Sequence, residues 1–250
     1  MRLSRFFIDS DLQESQSLYL PPHLVNYVIN VLRLKSGAEI ILFNGQLNNQ
    51  QSGEFSARLI DVSRRKVLVQ VNKFISKDIE SPLKLHLFQG ISHSERMDFS
   101  IQKSVELGVN SITPVFTQRS NNRKLNSKQL DKKQRHWQGV ADSACEQSGR
   151  TTRVPVNPAI KPSEIKTFNS ELNILLVPGA AQTLKDLAHL QPTSINVFIG
   201  PEGGLNSEEI ETAGVYGYLG IRLGPRILRT ETAGLSALSI MQLLWGDLAS

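Results

Sequence analysis

The sequence predicts an α/β protein with a small β-rich module at its N-terminus and a larger C-terminal domain built on a mostly parallel sheet. Short apolar and β-branched runs dominate residues 1–75, whereas strand-like and helix-like runs alternate after a polar, proline-terminated stretch at 76–82. Such alternation is typical of right-handed β-α-β crossovers, which place helices on both faces of a sheet. We therefore expect an N-terminal domain at 1–75, a linker at 76–82 and a second domain at 83–250.

The N-terminal module is predicted to be a small barrel. Residues 21–32 are its one helical stretch, because their apolar positions recur on a single helical face. Strands are expected at 39–45, which ends in the turn dipeptide Asn-Gly, and at 55–60 and 66–71. Several short strands with one helix favour a barrel-like fold.

The C-terminal domain is predicted to continue as alternating strands and helices. Strands are expected at 83–89, 111–116, 173–177, 195–199 and 220–224, and helices at 96–107, 128–147 and 231–248. A further helix begins at Asn206, because Asn206 and Glu209 have the spacing of an N-cap residue and its capping-box partner.

Composition narrows the class of protein. The chain has 250 residues, of which 40% are hydrophobic and 20% charged, as in an ordinary globular protein. No run approaches the roughly 20 apolar residues of a membrane span, and the first residues lack the apolar core of a signal peptide. One cysteine and five scattered histidines give no disulfide and no zinc-site spacing. We expect a cytoplasmic protein without a metal or a membrane partner.

Basic residues are concentrated in one segment of the chain. Seven lysines and arginines lie between Arg119 and Arg135, with Asp131 as the only acid, and the formal net charge of the whole chain is +5. This segment is either a solvated helix face or a surface that attracts the phosphates of a nucleic acid.

Three loops follow predicted strands and contain glycine and proline: Leu176-Val-Pro-Gly-Ala180, Ile199-Gly-Pro-Glu-Gly-Gly204 and Leu223-Gly-Pro-Arg-Ile-Leu-Arg229. In open α/β sheets, ligands bind beyond the carboxyl ends of the strands, and glycine lets the backbone approach a ligand closely. No loop carries a phosphate-binding signature, which excludes a P-loop ATPase or kinase. The aliphatic and amide lining that we predict suits a neutral heteroaromatic ring such as adenine.

These loops also carry a resemblance to a known family. Gly200-Pro-Glu-Gly-Gly-Leu205 and Leu223-Gly-Pro-Arg-Ile-Leu-Arg-Thr-Glu-Thr-Ala233 resemble the SPOUT RNA methyltransferases, most closely the bacterial 16S rRNA (uracil-N3)-methyltransferases. Segments 102–109, 112–119 and 144–150 are similar to that family as well. The Ser-Leu-Asn signature of the ribose-methylating branch is absent after the last loop, which favours a base as the target.

The resemblance implies a fold, a cofactor and partners. The C-terminal domain is expected to be a trefoil-knotted α/β domain, and the first domain a PUA-like RNA-binding barrel. The cofactor is expected to be S-adenosyl-L-methionine, the substrate 16S rRNA within the small ribosomal subunit, and the protein a homodimer.

Site residues follow from the same resemblance. The cofactor is expected to contact residues of the three loops and the start of the final helix: Leu176, Pro178, Ile199, Gly200, Pro201, Gly203, Gly204, Leu223, Gly224, Ile227, Leu228, Thr232 and Ala233. The chemistry of a methyl transfer to uracil adds candidates: Arg229 is expected to stabilise charge on the uracil or to hold a phosphate, and Glu202 and Glu146 are candidate general bases. Structural alternatives stay open, in which Arg229 pairs with Glu231 or a carboxyl terminus and Glu202 accepts from loop amides. The expected RNA contacts are Arg5, Arg33, Lys35, Arg96, Arg119, Arg123, Lys124 and Arg150.

Two alternatives remain open from the sequence. The chain is either a methyltransferase of this kind acting on another RNA base or position, or a non-catalytic RNA-binding assembly protein. The second alternative requires no cofactor pocket, so the pair of glycine-proline loops argues against it.

Overall fold

A computed structural model describes residues 3–120 and 126–249 of the chain. The chain divides into two compact units, one made of residues 1–80 and 145–153 and the other of residues 81–144 and 154–250. The predicted RNA contacts Arg123 and Lys124 lie outside the described residues.

The first unit is a five-stranded, mostly antiparallel sheet with one short helix. Its elements are β1 (Ser4–Phe7), β2 (Ser17–Tyr19), α1 (Pro22–Asn26), which continues as a π-helical turn over Tyr27–Val31, β3 (Glu39–Phe43), β4 (Gly53–Ser63) and β5 (Lys66–Ser76). The strand order is β1-β3-β4-β5-β2, with β1 parallel to β3 and the other pairs antiparallel. Strands β4 and β5 are longer than predicted: only Arg64 and Arg65 form the turn between them, and at the far end Gly53–Phe55 of β4 pair with Phe74–Ser76 of β5.

Apolar side chains from every strand of this unit and from α1 form one core, which includes Phe6, Val28, Leu42, Leu59 and Val69. The alternation of buried and exposed positions along β5 reflects the period of two that places successive side chains on opposite faces of a sheet. The expected β-rich module with a single helical stretch is therefore observed.

The second unit is built on a five-stranded sheet in which every pair is parallel. Its elements are β6 (Lys84–Gly90), α2 (Ser94–Glu106), β7 (Ser111–Val115), α3 (Ser127–Ser148), 3-10 helices at Pro162–Thr167 and Leu184–Leu187, β8 (Leu172–Leu176), β9 (Ser194–Ile199), α4 (Ser207–Val215), β10 (Leu219–Ile221) and α5 (Thr230–Trp245). The strand order is β10-β8-β9-β6-β7. The predicted α/β class with a mostly parallel sheet is confirmed.

The predicted start of α4 is observed in detail. Asn206 Oδ1 accepts a hydrogen bond from the Glu209 amide at 2.7 Å, and the Glu209 carboxylate accepts one from the Asn206 amide at 2.9 Å. Strand β10 ends at Ile221 and not at the predicted residue 224, because Arg222 instead donates its amide to the carbonyl of Gln182. Gly224 then adopts a φ of +73°, which turns the chain away from the sheet.

The strand order explains why distant loops meet. Strands β10, β8 and β9 are consecutive neighbours in a parallel sheet, so their carboxyl ends, at Ile221, Leu176 and Ile199, lie at the same edge. Strand β6 is the next neighbour, and its last residue, Gly90, lies against the loop that follows β9.

Among the described residues, no helix combines the length and the apolar character that a membrane-crossing segment requires. Within the same ranges, no cluster of histidine, cysteine, aspartate or glutamate side chains is arranged to hold a metal ion.

Candidate functional site

A cavity of about 650 Å³ lies at the edge where β8, β9 and β10 end. We name its two main walls the first loop (residues 200–205) and the second loop (residues 223–229). Segment 176–179 and the start of α5 complete the lining.

Most of the predicted cofactor contacts line this cavity. They are Leu176, Pro178, Ile199, Gly200, Pro201, Gly203, Gly204, Leu223, Gly224, Ile227, Leu228 and Ala233. Thr232 is not among the lining residues, whereas Thr230 is. Helix α5 begins at Thr230, whose side chain is buried, and Thr232 is exposed on the helix surface.

The first loop is held in place by side chains from outside it. Arg119 Nη1 donates to the carbonyl of Gly203 at 2.9 Å and to that of Leu205 at 3.4 Å. Thr230 Oγ1 donates to the carbonyl of Gly200 at 2.6 Å. The loop also closes on itself, because the Gly204 amide donates to the Pro201 carbonyl at 2.8 Å. Backbone carbonyls along this wall are thereby fixed in direction.

Glu202 fastens the same loop to the start of α2. Its Oε1 accepts a hydrogen bond from the His93 amide at 2.9 Å and lies 3.5 Å from Arg96 Nη1. Partial burial raises the pKa of Glu202, but the hydrogen bond from the His93 amide and the other donors around it outweigh that effect, so the pKa lies below its usual range. The carboxylate is therefore ionised at neutral pH and already accepts a hydrogen bond.

Two glycines allow the close approach of backbone at this wall. A Cβ on Gly90 would lie 2.5 Å from the Pro201 nitrogen, and one on Gly203 would lie 2.9 Å from Arg119 Cβ. Because the first of these clashes is with backbone, no side-chain rotation relieves it.

The second loop differs in its contacts. No hydrogen bond or ion pair of residues 224–228 is found in the described ranges, and Ile227 is 87% exposed. Arg229 is exposed, and within the same ranges its guanidinium makes no hydrogen bond or ion pair. Arg229 thus remains accessible beside the cavity, at the N-terminus of α5.

Glu146, the other predicted base, belongs to the first unit. Its Oε1 accepts a hydrogen bond from the Phe7 amide at 3.0 Å. The structure therefore brings Glu202, but not Glu146, into the lining of the cavity.

The predicted RNA contacts fall into three groups. Arg5 and Arg150 are buried: Arg5 Nη2 pairs with Glu54 at 2.7 Å and Arg150 pairs with Glu80, so neither guanidinium presents a surface to a phosphate. This burial corrects the expectation that these two arginines bind RNA. Arg96 and Arg119 are engaged by the first loop, as described above.

Arg33 and Lys35 form the third group, since both are exposed on the first unit. Arg33 adopts a φ of +53°, which places it in a turn after the π-helical segment. Both are accessible to a phosphate, unlike the buried Arg5 and Arg150.

Two family models match the chain. The model of the RNA methyltransferase domain matches residues 79–242, and the model of the RNA methyltransferase PUA domain matches residues 20–72. The chain belongs to the RNA methyltransferase family. The resemblance seen in the two loop motifs is thereby confirmed.

Relatives of this family member match along its whole length. A protein of Buchnera aphidicola (subspecies Schizaphis graminum), called ribosomal RNA small subunit methyltransferase E, is 38% identical, with 99% of each chain covered. A Bacillus subtilis protein of the same name is 29% identical, with 98% of this chain and 100% of the relative covered.

Solved structures agree with this assignment. A Legionella pneumophila protein in complex with the cofactor SAM (S-adenosylmethionine) has a TM-score of 0.93 and 37% identity, over 99% of this chain and all of the other. A Neisseria gonorrhoeae ribosomal RNA small subunit methyltransferase E bound to S-adenosylmethionine has a TM-score of 0.87 and 37% identity, with the same coverage.

Sequence reasoning missed several residues of the site. Gln89, Gly90 and Thr230 were not predicted, and Arg119 was assigned to RNA and not to the first loop. In the sequence, the only indication of a role for Gln89 is that a polar amide stands near the end of the mostly apolar strand β6. That role cannot be recognised locally, because the hydrogen-bond partner of Gln89, Thr230, lies 141 residues away in the sequence.

Proposed function

We propose that this protein transfers a methyl group from S-adenosyl-L-methionine to N3 of a uridine in 16S rRNA, and that the assembled small ribosomal subunit is the substrate. The cavity formed by three strand-end loops carries this proposal. Two relatives with 37% identity over 99% of this chain bind S-adenosylmethionine, and related chains are named ribosomal RNA small subunit methyltransferase E.

The lining fits the cofactor chemically. Aliphatic side chains of Leu176, Ile199 and Leu223 suit a flat neutral ring, and the fixed carbonyls of the first loop suit hydrogen-bond donors on it. The glycines leave space that a Cβ would fill, since one on Gly200 would lie 3.0 Å from Leu205 Cγ. When bound, the cofactor supplies an electrophilic methyl group.

The residues of the chain have to position and activate the nucleophile. Orientation of two reactants contributes up to about 7–11 kcal/mol in favourable systems. Uracil N3 carries a proton and becomes nucleophilic when that proton passes to solvent water, which leaves negative charge shared with the two carbonyl oxygens of the base. The exposed guanidinium of Arg229 stabilises that charge, or holds an adjacent phosphate.

Glu202 is the stronger of the two candidate bases because it lines the cavity. Its lowered pKa and its hydrogen bond from the His93 amide favour another role, that of anchoring the first loop. We assign Glu202 the anchoring role and Glu146 a structural role in the first unit, where it accepts from the Phe7 amide.

RNA binding is assigned to exposed cations of the first unit and to those of the basic segment that lie on the first half of α3. Arg33 and Lys35 are exposed, as are Lys128, Lys132 and Arg135 on α3. These cations attract the phosphate backbone, while the target base has to be turned out of its helix to reach the cavity.

We also propose that the protein is a cytoplasmic homodimer with a trefoil knot in its second domain, and that the domains are divided at a linker over 76–82.

Support for the dimer comes from α5, where Ile240, Leu243 and Leu244 share one helical face and are all at least 36% exposed. Light scattering after size exclusion tests this: a Leu243→Asp variant is expected to be monomeric. A dimer with unchanged affinity would contradict the assigned interface.

The activity is tested by incubating hypomethylated small ribosomal subunits with labelled cofactor, followed by mass analysis of the nucleosides. Label on N3-methyluridine supports the proposal. Label on ribose, or only on transfer RNA, would contradict it, and failure to bind the cofactor in calorimetry would favour a non-catalytic assembly protein.

A further inference from the structure

A buried hydrogen-bond chain lies behind the first loop. Gln89, at the penultimate position of β6, is 1% exposed. Its Nε2 donates to the carbonyl of Gly90 at 3.1 Å and to Thr230 Oγ1 at 3.0 Å. Thr230 Oγ1 in turn donates to the carbonyl of Gly200 at 2.6 Å. Thr230 and Gly200 line the cavity, whereas Gln89 does not.

The direction of every bond in this chain is determined. The group of Gln89 that faces the Gly90 carbonyl has to be the amide nitrogen, because a flipped side chain would set two oxygen acceptors against each other. The same nitrogen has only donors, so Thr230 Oγ1 has to accept from it. The single hydroxyl proton of Thr230 is then directed to the Gly200 carbonyl.

This order has a consequence for the cavity wall. Because the Thr230 proton is committed to Gly200, the Thr230 hydroxyl and the Gly200 carbonyl present oxygen lone pairs, and no hydroxyl proton, to a ligand. A hydroxyl without the Gln89 donor would be free to rotate and to offer its proton to the cavity instead. The side chain of Gln89, which is 1% exposed, therefore determines whether the Thr230 hydroxyl offers the cavity a lone pair or a proton, although Gln89 itself does not line the cavity.

The surrounding backbone is packed too closely to compensate for a lost bond. A Cβ on Gly234 of α5 would lie 2.9 Å from Ile199 Cδ1, and one on Gly90 would lie 2.5 Å from the Pro201 nitrogen. Helix α5 and the ends of β6 and β9 thus meet at van der Waals distance around the chain of hydrogen bonds. The first loop therefore has little room to shift toward a new partner.

We propose that Gln89 is a positioning residue for cofactor binding, which acts through Thr230 to hold the Gly200 carbonyl and to keep this corner an acceptor surface. The inference rests on the proposed function, because it takes the cavity to be the S-adenosyl-L-methionine site. Gln89 fixes the wall before the ligand arrives and takes no part in the chemistry.

The first test is equilibrium binding of S-adenosyl-L-methionine to the full chain by calorimetry, with no RNA present. Gln89→Met has nearly the same shape but no donor, and is expected to raise the Kd about tenfold, as is Thr230→Val. Thr230→Ser keeps the hydroxyl and is expected to bind like the wild type. The double variant Q89M/T230V is expected to bind no more weakly than either single variant, because both changes remove the same chain.

Thermal unfolding of the same samples separates positioning from folding. A purely structural role predicts a lower Tm for Gln89→Met with an unchanged Kd, or additive losses of affinity in the double variant. Either result would overturn the proposal. If Gln89→Met does not fold, the comparison of Thr230→Val with Thr230→Ser decides, since equal Kd values for those two variants would also overturn it.

Gln89→Glu supplies a pH-dependent readout. An ionised carboxylate only accepts hydrogen bonds, which reverses the chain, whereas a protonated carboxyl restores one donor. The ratio of variant to wild-type Kd is expected to fall as the pH is lowered from about 8.5 to about 5.5, because burial favours protonation. A constant ratio would contradict the proposal. Wild-type protein that fails to bind the cofactor would instead refute the proposed function, and so the two failures are distinguishable.

Discussion

The first and second loops have similar sequences but different surroundings. Both follow a parallel strand and contain Gly-Pro, yet Arg119, Glu202 and Thr230 hold the first loop in place. The second loop is exposed, with no hydrogen bond or ion pair of residues 224–228 in the described part of the chain. We conclude that the first loop is a preformed wall of the cavity, and that the second loop is open to solvent.

The largest expected loss of cofactor affinity comes from adding a Cβ to the close approach behind the first loop. Gly90→Ala places that atom 2.5 Å from the Pro201 nitrogen, so the wall has to move. We expect a loss of about 1–3 kcal/mol of unfolding free energy and roughly a hundredfold weaker cofactor binding. Denaturant unfolding and calorimetry measure the two effects.

Gly224→Ala is the matched control in the second loop. A Cβ there meets nothing within 4 Å, and only the φ of +73° opposes it. The cost is about 1 kcal/mol of backbone strain, and we expect a smaller rise in cofactor Kd than for Gly90→Ala, because the added methyl displaces no backbone although Gly224 lines the cavity. Similar Kd values for the Gly90 and Gly224 variants would remove the distinction between the loops.

A smaller loss is expected from Arg119→Ala. The variant removes the hydrogen bonds to the carbonyls of Gly203 and Leu205, while its own Cβ stays beside Gly203. We expect cofactor Kd to rise about tenfold, through the loss of two charge-assisted hydrogen bonds. RNA affinity in filter binding is expected to change less than in Arg33→Ala. The reverse order would restore Arg119 to the RNA surface.

Glu202→Gln is expected to weaken cofactor binding only about two- to fivefold at neutral pH, because the amide oxygen still accepts from His93 and only the ion pair with Arg96 is lost.

The lowered pKa of Glu202 determines how the difference between the wild type and Glu202→Gln changes with pH. The stabilisation by the ionised carboxylate is present above the usual pKa of 4.5 and is lost as the pH falls through the lower folded value. Calorimetry in acid should therefore show wild-type affinity approaching that of the variant. Complete loss of turnover by Glu202→Gln, with cofactor binding intact, would instead identify Glu202 as the base.

Arg229→Ala is expected to have the smallest effect on cofactor affinity, less than about twofold, because its exposed guanidinium holds no part of the wall. Turnover on ribosomal subunits is expected to fall about a hundredfold, with partial rescue by Arg229→Lys, which keeps the charge. Unchanged turnover would remove the proposed role.

The sequence predicts what depends on local chemistry. The cap formed by Asn206 and Glu209 and the two Gly-Pro loops depend on neighbouring residues, and the loop motifs identify most of the cavity lining, whereas the ends of β4, β5 and β10 differ from the prediction. Thr230 was missed because the exact first residue of a helix determines which of two nearby threonines faces inward.

Contacts between distant residues are not predictable in this way. The resemblance predicts RNA contacts at Arg5 and Arg150, but both are buried against carboxylates that lie 49 and 70 residues away in the sequence. Residues 145–153 belong to the first unit although 145–148 are the end of α3, whose earlier residues belong to the second unit, and no local pattern indicates this division. The hydrogen bonds from Arg119 and Thr230 to the first loop also join residues that are far apart in the sequence, so local patterns do not predict them.

Amide hydrogen exchange by NMR on the protein without ligand tests the central claim most directly. The amides of Gly204 and Asn206 are bonded within the first loop and the cap of α4, whereas no amide of residues 224–228 is bonded in the described ranges. We predict exchange at Gly204 and Asn206 at least about tenfold slower than at residues 224–228. Equal exchange rates in the two loops would contradict the claim that one wall is preformed and the other open.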